Sequence, residues 1–224
     1  IIFITAGKNN QSIERLQKSH IPVVIVDRHF EAADMDEVFV DNYRGAFEAA
    51  KHLITLGHRR IGLISGPSVT DTSSSRVAGY RDALFQSGIT YDDSIIFPGN
   101  FRPESGRQGV RRLMGNDNPP TAVFCLNDMM AVAAINELQK MGIRVPQDVS
   151  VIGYDDVGIL SELADDLTTV HQPIDQMAAI ASRMVIGRIQ NKEKAFEKKV
   201  EILQPSLVIR SSTGKCRKQS INPD

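Results

Sequence analysis

The chain is 224 residues long, 42% hydrophobic and 24% charged, which suits a soluble globular protein of one large or two moderate domains. Its 26 basic and 27 acidic residues leave a formal net charge of -1, so no overall field draws it to nucleic acid or to a membrane surface. No apolar stretch approaches the ~20 residues a bilayer crossing needs, and Cys125 and Cys216 show no paired framework, so a reducing, cytoplasmic setting is expected.

Along the chain, apolar runs of strand length alternate with segments of helical period, the pattern of βα units around a mainly parallel sheet. The first strand, Ile2 to Thr5 of IIFITAG, starts with no initiator Met and no preceding turn, as expected of a chain entered part-way through a domain. Val23 to Val26 is the second. DNYRGAFEAAKHLITLGH then reads as a helix: Asn42 is a candidate cap, Ala46, Ala49, Ala50, Leu53 and Ile54 recur at helical spacing, and Gly57 with His58 ends it. Ile61 to Ser65, Ala122 to Leu126 and Val149 to Tyr154 are the later strands. Helices are expected at Ser75 to Ser87, Glu104 to Met114, Met129 to Met141 and Asp175 to Gln190, and a polar tail after Ser211 is expected to fray.

In parallel sheets ligands bind beyond the carboxyl ends of the strands, where loops converge and helix N-termini point inward. The residues just past each strand are Asp27 and Arg28 after VVIV, Gly66 to Ser75 after IGLIS, Asn127 and Asp128 after AVFCL, Asp155 and Asp156 after SVIGY, and Gln172 after LTTVH. Such a set matches a polyhydroxylated ligand: carboxylates accept from hydroxyls, an Arg fork donates to two, and Asn or Gln does both. Plainer readings stand beside this one. Asp155 and Asp156 can simply open a loop or cap a turn, Asn127-Asp128 is a good cap pair, and Arg28 and Arg76 can be ordinary surface residues. Arrival at several separate strand ends favours the cleft.

Enzyme chemistry has no visible apparatus. Adjacent carboxylates lack the separation glycosidases use, and the five histidines form no HExxH or His/Cys cluster. There is no G-x-S-x-G elbow and no Walker or G-x-G-x-x-G loop. Neither a metal nor a cofactor is expected.

Taken in order, DNYRGAFEAAKHLITLGHRRIGLISGP, SSRVAGYRDAL, PTAVFCLNDMMAVAAINELQKMGIRVPQDVSVIGYDD, LTTVHQP and LVIRSST resemble the effector-binding core of the LacI/GalR family of bacterial transcriptional regulators. The resemblance implies an α/β, periplasmic-binding-protein-like type I fold: two Rossmann-like parallel-sheet subdomains around a ligand cleft, with three chain crossings near Val40, Pro173 and Val200. The N-terminal subdomain would be residues 1–40 with 174–199, and partial; the C-terminal one would be 41–172 with 201–213, followed by a polar tail at 214–224. The family's ligand contacts fall on Asp27, Arg28, Arg76, Asn127, Asp155 and Gln172, a set similar to that used for ribose and related monosaccharides. Thr72, Phe101 and Tyr154 are further candidates for the cleft wall, and Asp128 and Asp156 are expected to orient neighbours or cap helices.

By this resemblance the chain is the sugar-sensing core of a DNA-binding repressor, a homodimer that acts in the cytoplasm and is not an enzyme. Operator DNA would be bound through a helix-turn-helix head that these residues do not include, and the first strands and helix of the N-terminal lobe are also missing from them. A sugar-binding protein of a transport system would share fold and contacts, but LGHRRIGLI and LVIRSST look more like regulators. A purine effector, also known in the family, matches the hydroxyl-pairing set less well.

Overall fold

The short β-branched runs form strands, and the periodic segments between them form helices. The protein is described by a computed structural model at residues 1–4, 15, 16, 18, 21–30, 34–156, 166–190 and 197–216. In chain order the elements are β1 (Ile2–Ile4), β2 (Val24–Val26), β3 (Asp36–Val40), α1 (Asn42–Thr55), β4 (Ile61–Ile64), α2 (Asp71–Gln86), a 3-10 turn (Asp93–Ile95) and β5 (Ile96–Phe97). There follow α3 (Pro103–Met114), β6 (Ala122–Cys125), α4 (Asp128–Lys140), β7 (Ser150–Ile152), β8 (Thr169–His171), α5 (Ile174–Gln190), β9 (Val200–Leu203) and β10 (Ser206–Val208).

Two four-stranded sheets result, ordered β1-β2-β3-β9 and β5-β4-β6-β7, and every pairing within them is parallel. A short antiparallel pair, β8 with β10, adjoins the second sheet through bridges from Thr168 to Ile152 and from His171 to Asp155. This is the α/β architecture the sequence leads one to expect.

The second sheet is sandwiched between helix pairs. Ile64 and Gly62 face α3, whereas Phe124 meets the Tyr80 ring of α2 at 6.4 Å. Both helix pairs close on a glycine. A Cβ at Gly79 of α2 would collide with the Tyr43 carbonyl of α1, and one at Gly106 of α3 would collide with the Met130 carbonyl of α4. In the first sheet Val24, Val26, Val38 and Val40 pack against Met177 and Ala181 of α5. The opposite face buries Val23, Ile25 and Met35.

Several expectations are corrected. β3 escaped the apolar-run criterion because it opens on two carboxylates, Asp36 and Glu37, each 0% exposed. Both are paired: Asp36 accepts from Arg188 Nε at 2.8 Å and Nη2 at 2.7 Å, and Glu37 accepts from Lys198 Nζ at 2.9 Å and faces His29 Nδ1 at 2.7 Å. β9 pairs with β3 from Glu37↔Val200 to Val40↔Leu203, so residues 201–203 join the first sheet and the third crossing follows Leu203 rather than Val200. Asp41, not Asn42, caps α1, accepting from Arg44 N at 2.8 Å. α2 starts at Asp71, ahead of Ser75, because Thr70 accepts from Ser73 N at 3.3 Å. The segment after Ser211 does not fray as far as Cys216: Gly214 N donates to Ser150 Oγ at 3.1 Å and Cys216 N to the Leu56 carbonyl at 2.8 Å. Thr5 of the first strand and residues 217–224 of the tail lie outside the described residues.

Candidate functional site

Asp27 follows β2, Arg76 lies on the second turn of α2, Tyr154 and Asp155 follow β7, and Gln172 follows β8. The fold brings these strand-end residues together. Asp27 and Asp155 both have positive φ, 66° and 121°, conformations that L residues rarely adopt and that mark functional loops when the surrounding structure enforces them. For Asp155 the enforcement is visible: its N–H donates to the Val170 carbonyl at 2.8 Å and its carbonyl accepts from Gln172 N at 3.2 Å.

Arg76 is the centre of the cluster and is only 3% exposed. Its Nε donates to Asn42 Oδ1 at 2.8 Å, its Nη1 to the Leu126 carbonyl at 2.6 Å, and Nη1 stands 3.4 Å from Asp155 Oδ1. The guanidinium carbon lies 3.6 Å from the centroid of the Tyr154 ring, a close cation–π contact. Gln172 Nε2 donates to the same Asp155 oxygen at 2.7 Å. The arginine therefore has the opposite of a surface environment.

Burial pushes the Asp155 carboxyl above the usual range; Arg76 and the Gln172 hydrogen bond oppose the shift, while the Asp27 charge reinforces it. Burial likewise raises Asp27, against the attraction of Arg76 and then Arg28. Tyr154 is pushed up to about 12, chiefly by burial. Asp27 follows a strand of the first sheet and Arg76 lies on a helix that flanks the second, and the Arg76 charge reaches Asp27.

Several buried polar atoms here have no hydrogen-bond partner: Asp27 Oδ1, Arg28 Nε and Nη1, Gln172 Oε1 and the Tyr154 hydroxyl. Of the six buried side-chain atoms in that condition among the described residues, five belong to this cluster. Unpaired buried polar groups cost about 1–3 kcal/mol each, more when charged, so their concentration makes this cluster the candidate site. A cavity of about 280 Å³ opens beside Asp27 and Gln172 on an otherwise mainly apolar lining that includes Val26, Ile174 and Met177.

The remaining candidates are placed differently. Asn127 is committed to structure: Oδ1 caps α4 through Met130 N at 3.0 Å, and Nδ2 donates to the Phe101 carbonyl at 3.0 Å, leaving one amide hydrogen over. Phe101, with φ of 65°, lays its ring where a Cβ on Gly66 would stand, at the end of β4. Thr72 is half-buried, one helical turn before Arg76 on the same face of α2. Asp128 accepts from Asp156 N at 2.7 Å and Thr169 Oγ1 at 2.6 Å, while Asp156 accepts from Arg210 Nη2 at 2.8 Å. These two carboxylates orient neighbours.

Asn42 is the residue that sequence reasoning misplaced. Read as a cap, it is instead the acceptor that holds Arg76. No local signal marks this role, because the bond joins residues 34 apart and depends on Asp41 taking the cap. Among the described residues no three His, Cys, Asp or Glu side chains gather to hold a metal, and no helix is long and apolar enough to cross a membrane.

Residues 50–213, which carry Arg76, Asn127, Asp155 and Gln172, match the model of the periplasmic binding protein-like domain family. A LacI transcriptional regulator of Bacillus cereus subsp. cytotoxis superposes with a TM-score of 0.88 at 32% identity, covering 97% of this chain and 77% of that one. A LacI family regulator of Enterococcus faecium with bound ribose gives a TM-score of 0.86 at 30% identity over 96% of this chain and 80% of that one. This chain belongs to the LacI family. Relatives of this LacI-family chain include the HTH-type transcriptional repressor PurR of Klebsiella pneumoniae, 40% identical over 194 residues, and the HTH-type transcriptional regulator DegA of Bacillus subtilis, 38% identical over 216 residues. Those matches cover 86% and 95% of the chain but only 56% and 63% of the two relatives, so the chain spans somewhat over half of their length.

Proposed function

We propose that this chain is the effector-sensing core of a transcriptional repressor, and that the effector is a monosaccharide such as ribose held between Asp27 and Arg28 of one lobe and Arg76, Asp155 and Gln172 of the other. The observation that carries this reading is the group of unpaired buried atoms on Asp27, Arg28 and Gln172 beside the Arg76–Asp155 pair. An uncharged polyol supplies adjacent donors and acceptors in the alternation this set needs. Each hydrogen bond to a charged group contributes about 1.5–3 kcal/mol. The relative with bound ribose supports the sugar class.

Because the contacts come from both lobes, a sugar binds the closed arrangement better than an open one and shifts the equilibrium between them. Moving such an equilibrium from 1:99 to 99:1 takes about 5.5 kcal/mol, the contribution of a few such bonds made only in the closed state. In the intact regulator, a cytoplasmic homodimer in this reading, lobe closure alters how paired helix-turn-helix heads meet two operator half-sites. In this reading the protein is a sensor and not an enzyme.

A thermal-shift screen against ribose, other pentoses and hexoses, sugar phosphates and purines tests the ligand class. A ligand at 100 times its Kd adds about 2.7 kcal/mol, a rise in Tm of roughly 5–10 °C for a chain of this size. A shift with a neutral monosaccharide is the expected result. A shift confined to phosphates or purines would replace the sugar by that class.

A further inference from the structure

The three chain crossings all end on the same few side chains. At the first, Asn42 Nδ2 donates to the carbonyl of Val40, the last residue of β3, at 3.1 Å, while Asn42 Oδ1 accepts from Arg76 Nε at 2.8 Å. At the second, Gln172 bonds Asp155 Oδ1 at 2.7 Å. At the third, Pro205 and the Tyr154 hydroxyl meet over Gly45, where a Cβ would stand 3.0 Å from Pro205 Cγ and collide with the hydroxyl. Tyr154 in turn lies under the Arg76 guanidinium.

We infer that Asn42 is a positioning residue of the effector site: it fixes the plane of the Arg76 guanidinium and ties that plane to the first crossing between the lobes. The inference rests on the reading of the cleft as the effector site. An arginine fork recognises paired hydroxyls only when its plane is set, and Arg76 spends Nε on Asn42 and Nη1 on the Leu126 carbonyl and Asp155, leaving the two Nη2 hydrogens for a ligand. The amide does what a carboxylate does not: its oxygen accepts from the arginine while its nitrogen donates to the backbone of the crossing. Rotation at Val40–Asp41 therefore turns the guanidinium with it, and a ligand that holds the guanidinium still holds the crossing still.

The test is calorimetric titration of ribose into the full chain and into Asn42→Ala, Asn42→Asp, Arg76→Lys and the double variant Asn42→Ala/Arg76→Lys. Asn42→Ala is expected to weaken ribose about tenfold to a hundredfold, the loss for one charge-assisted hydrogen bond. Asn42→Asp keeps the acceptor for Arg76 but turns a carboxylate oxygen toward the Val40 carbonyl, so it is expected to recover only part of that loss. In the Arg76→Lys background, which has no Nε–H, Asn42→Ala is expected to cost little more. Equal losses in both backgrounds would overturn the proposal.

A readout without ligand separates this inference from the sugar reading. The Arg76 Nε–H should exchange slowly with solvent in the parent and rapidly in Asn42→Ala, followed by ¹⁵N NMR. Equal protection in both would reject the role of Asn42 whatever the ligand. Failure of ribose and the other sugars to bind the parent would reject the sugar reading, and the exchange measurement would still decide the role of Asn42.

Discussion

At Asp155 stability and recognition pull in opposite directions. Its side chain is half-buried, 21% exposed, beside a single arginine, and loss of water outweighs Arg76 in moving its pKa, which therefore stands above the ordinary range. A group whose folded pKa is raised contributes stability that is fully present below its unfolded pKa and is lost as the pH rises through the folded value. Ionised Asp155 and, by the same sign, Asp27 thus weaken the ligand-free fold at neutral pH. Asp155→Asn is expected to raise the Tm of the ligand-free protein at pH 7, an advantage that fades as the pH falls through the raised folded pKa and is gone below the ordinary aspartate range; a pH series of melting curves checks it. A lowered Tm at pH 7 would mean that the pair with Arg76 outweighs burial. Much of this was legible from position alone, since Asp27 and Asp155 are the first polar residues past apolar runs and Gln172 follows the short strand LTTVH. The Asn42 bond to Arg76 was not, because it joins residues 34 apart and depends on which neighbour takes the cap.

At the scale of elements, the helix pairs flanking the second sheet approach closely only because each interface has a residue without a side chain. Gly79→Ala places a methyl against the Tyr43 carbonyl and 2.9 Å from the Phe47 nitrogen, backbone atoms that cannot swing aside. A loss of about 1–3 kcal/mol is expected, the usual cost of overpacking, measured by urea denaturation. A variant as stable as the parent would show that α1 and α2 separate without cost. Strands built from continuous β-branched runs, β2, β4 and β6, were readable, as were helices with clear periodicity. β3 hides behind Asp36 and Glu37, whose partners Arg188 and Lys198 lie more than 150 residues away in the chain, at separations of 152 and 161. β9 is short and half exposed, so no local pattern distinguishes it; its pairing with β3 moves the domain boundary.

At the scale of the whole molecule the two sheets differ in what the described residues pack against them. Among those residues the second sheet and its four helices share one large buried cluster, whereas the first sheet carries two small ones, and Ile2, Ile4, Val200 and Ile202 on its outer strands are exposed at 43%, 70%, 42% and 51%. Local opening follows packing. Hydrogen exchange is therefore expected to be slowest at β4, β6 and β7 and fastest at β1 and β9. Uniform protection would mean that the lobes unfold as one unit.

The claim that lobe closure is governed by a sugar gripped by Arg76 and Asp155 is tested most directly by calorimetric titration. Ribose, or the monosaccharide with the largest thermal shift, would be titrated into the parent, Arg76→Ala and Asp155→Ala. The parent is predicted to bind one sugar per chain. Both variants are predicted to melt cooperatively yet lose on the order of a hundredfold in affinity or more, since a cleft built for hydroxyls is left with unpaired buried groups. Parent-like affinity in both variants would place the sugar elsewhere and contradict the account.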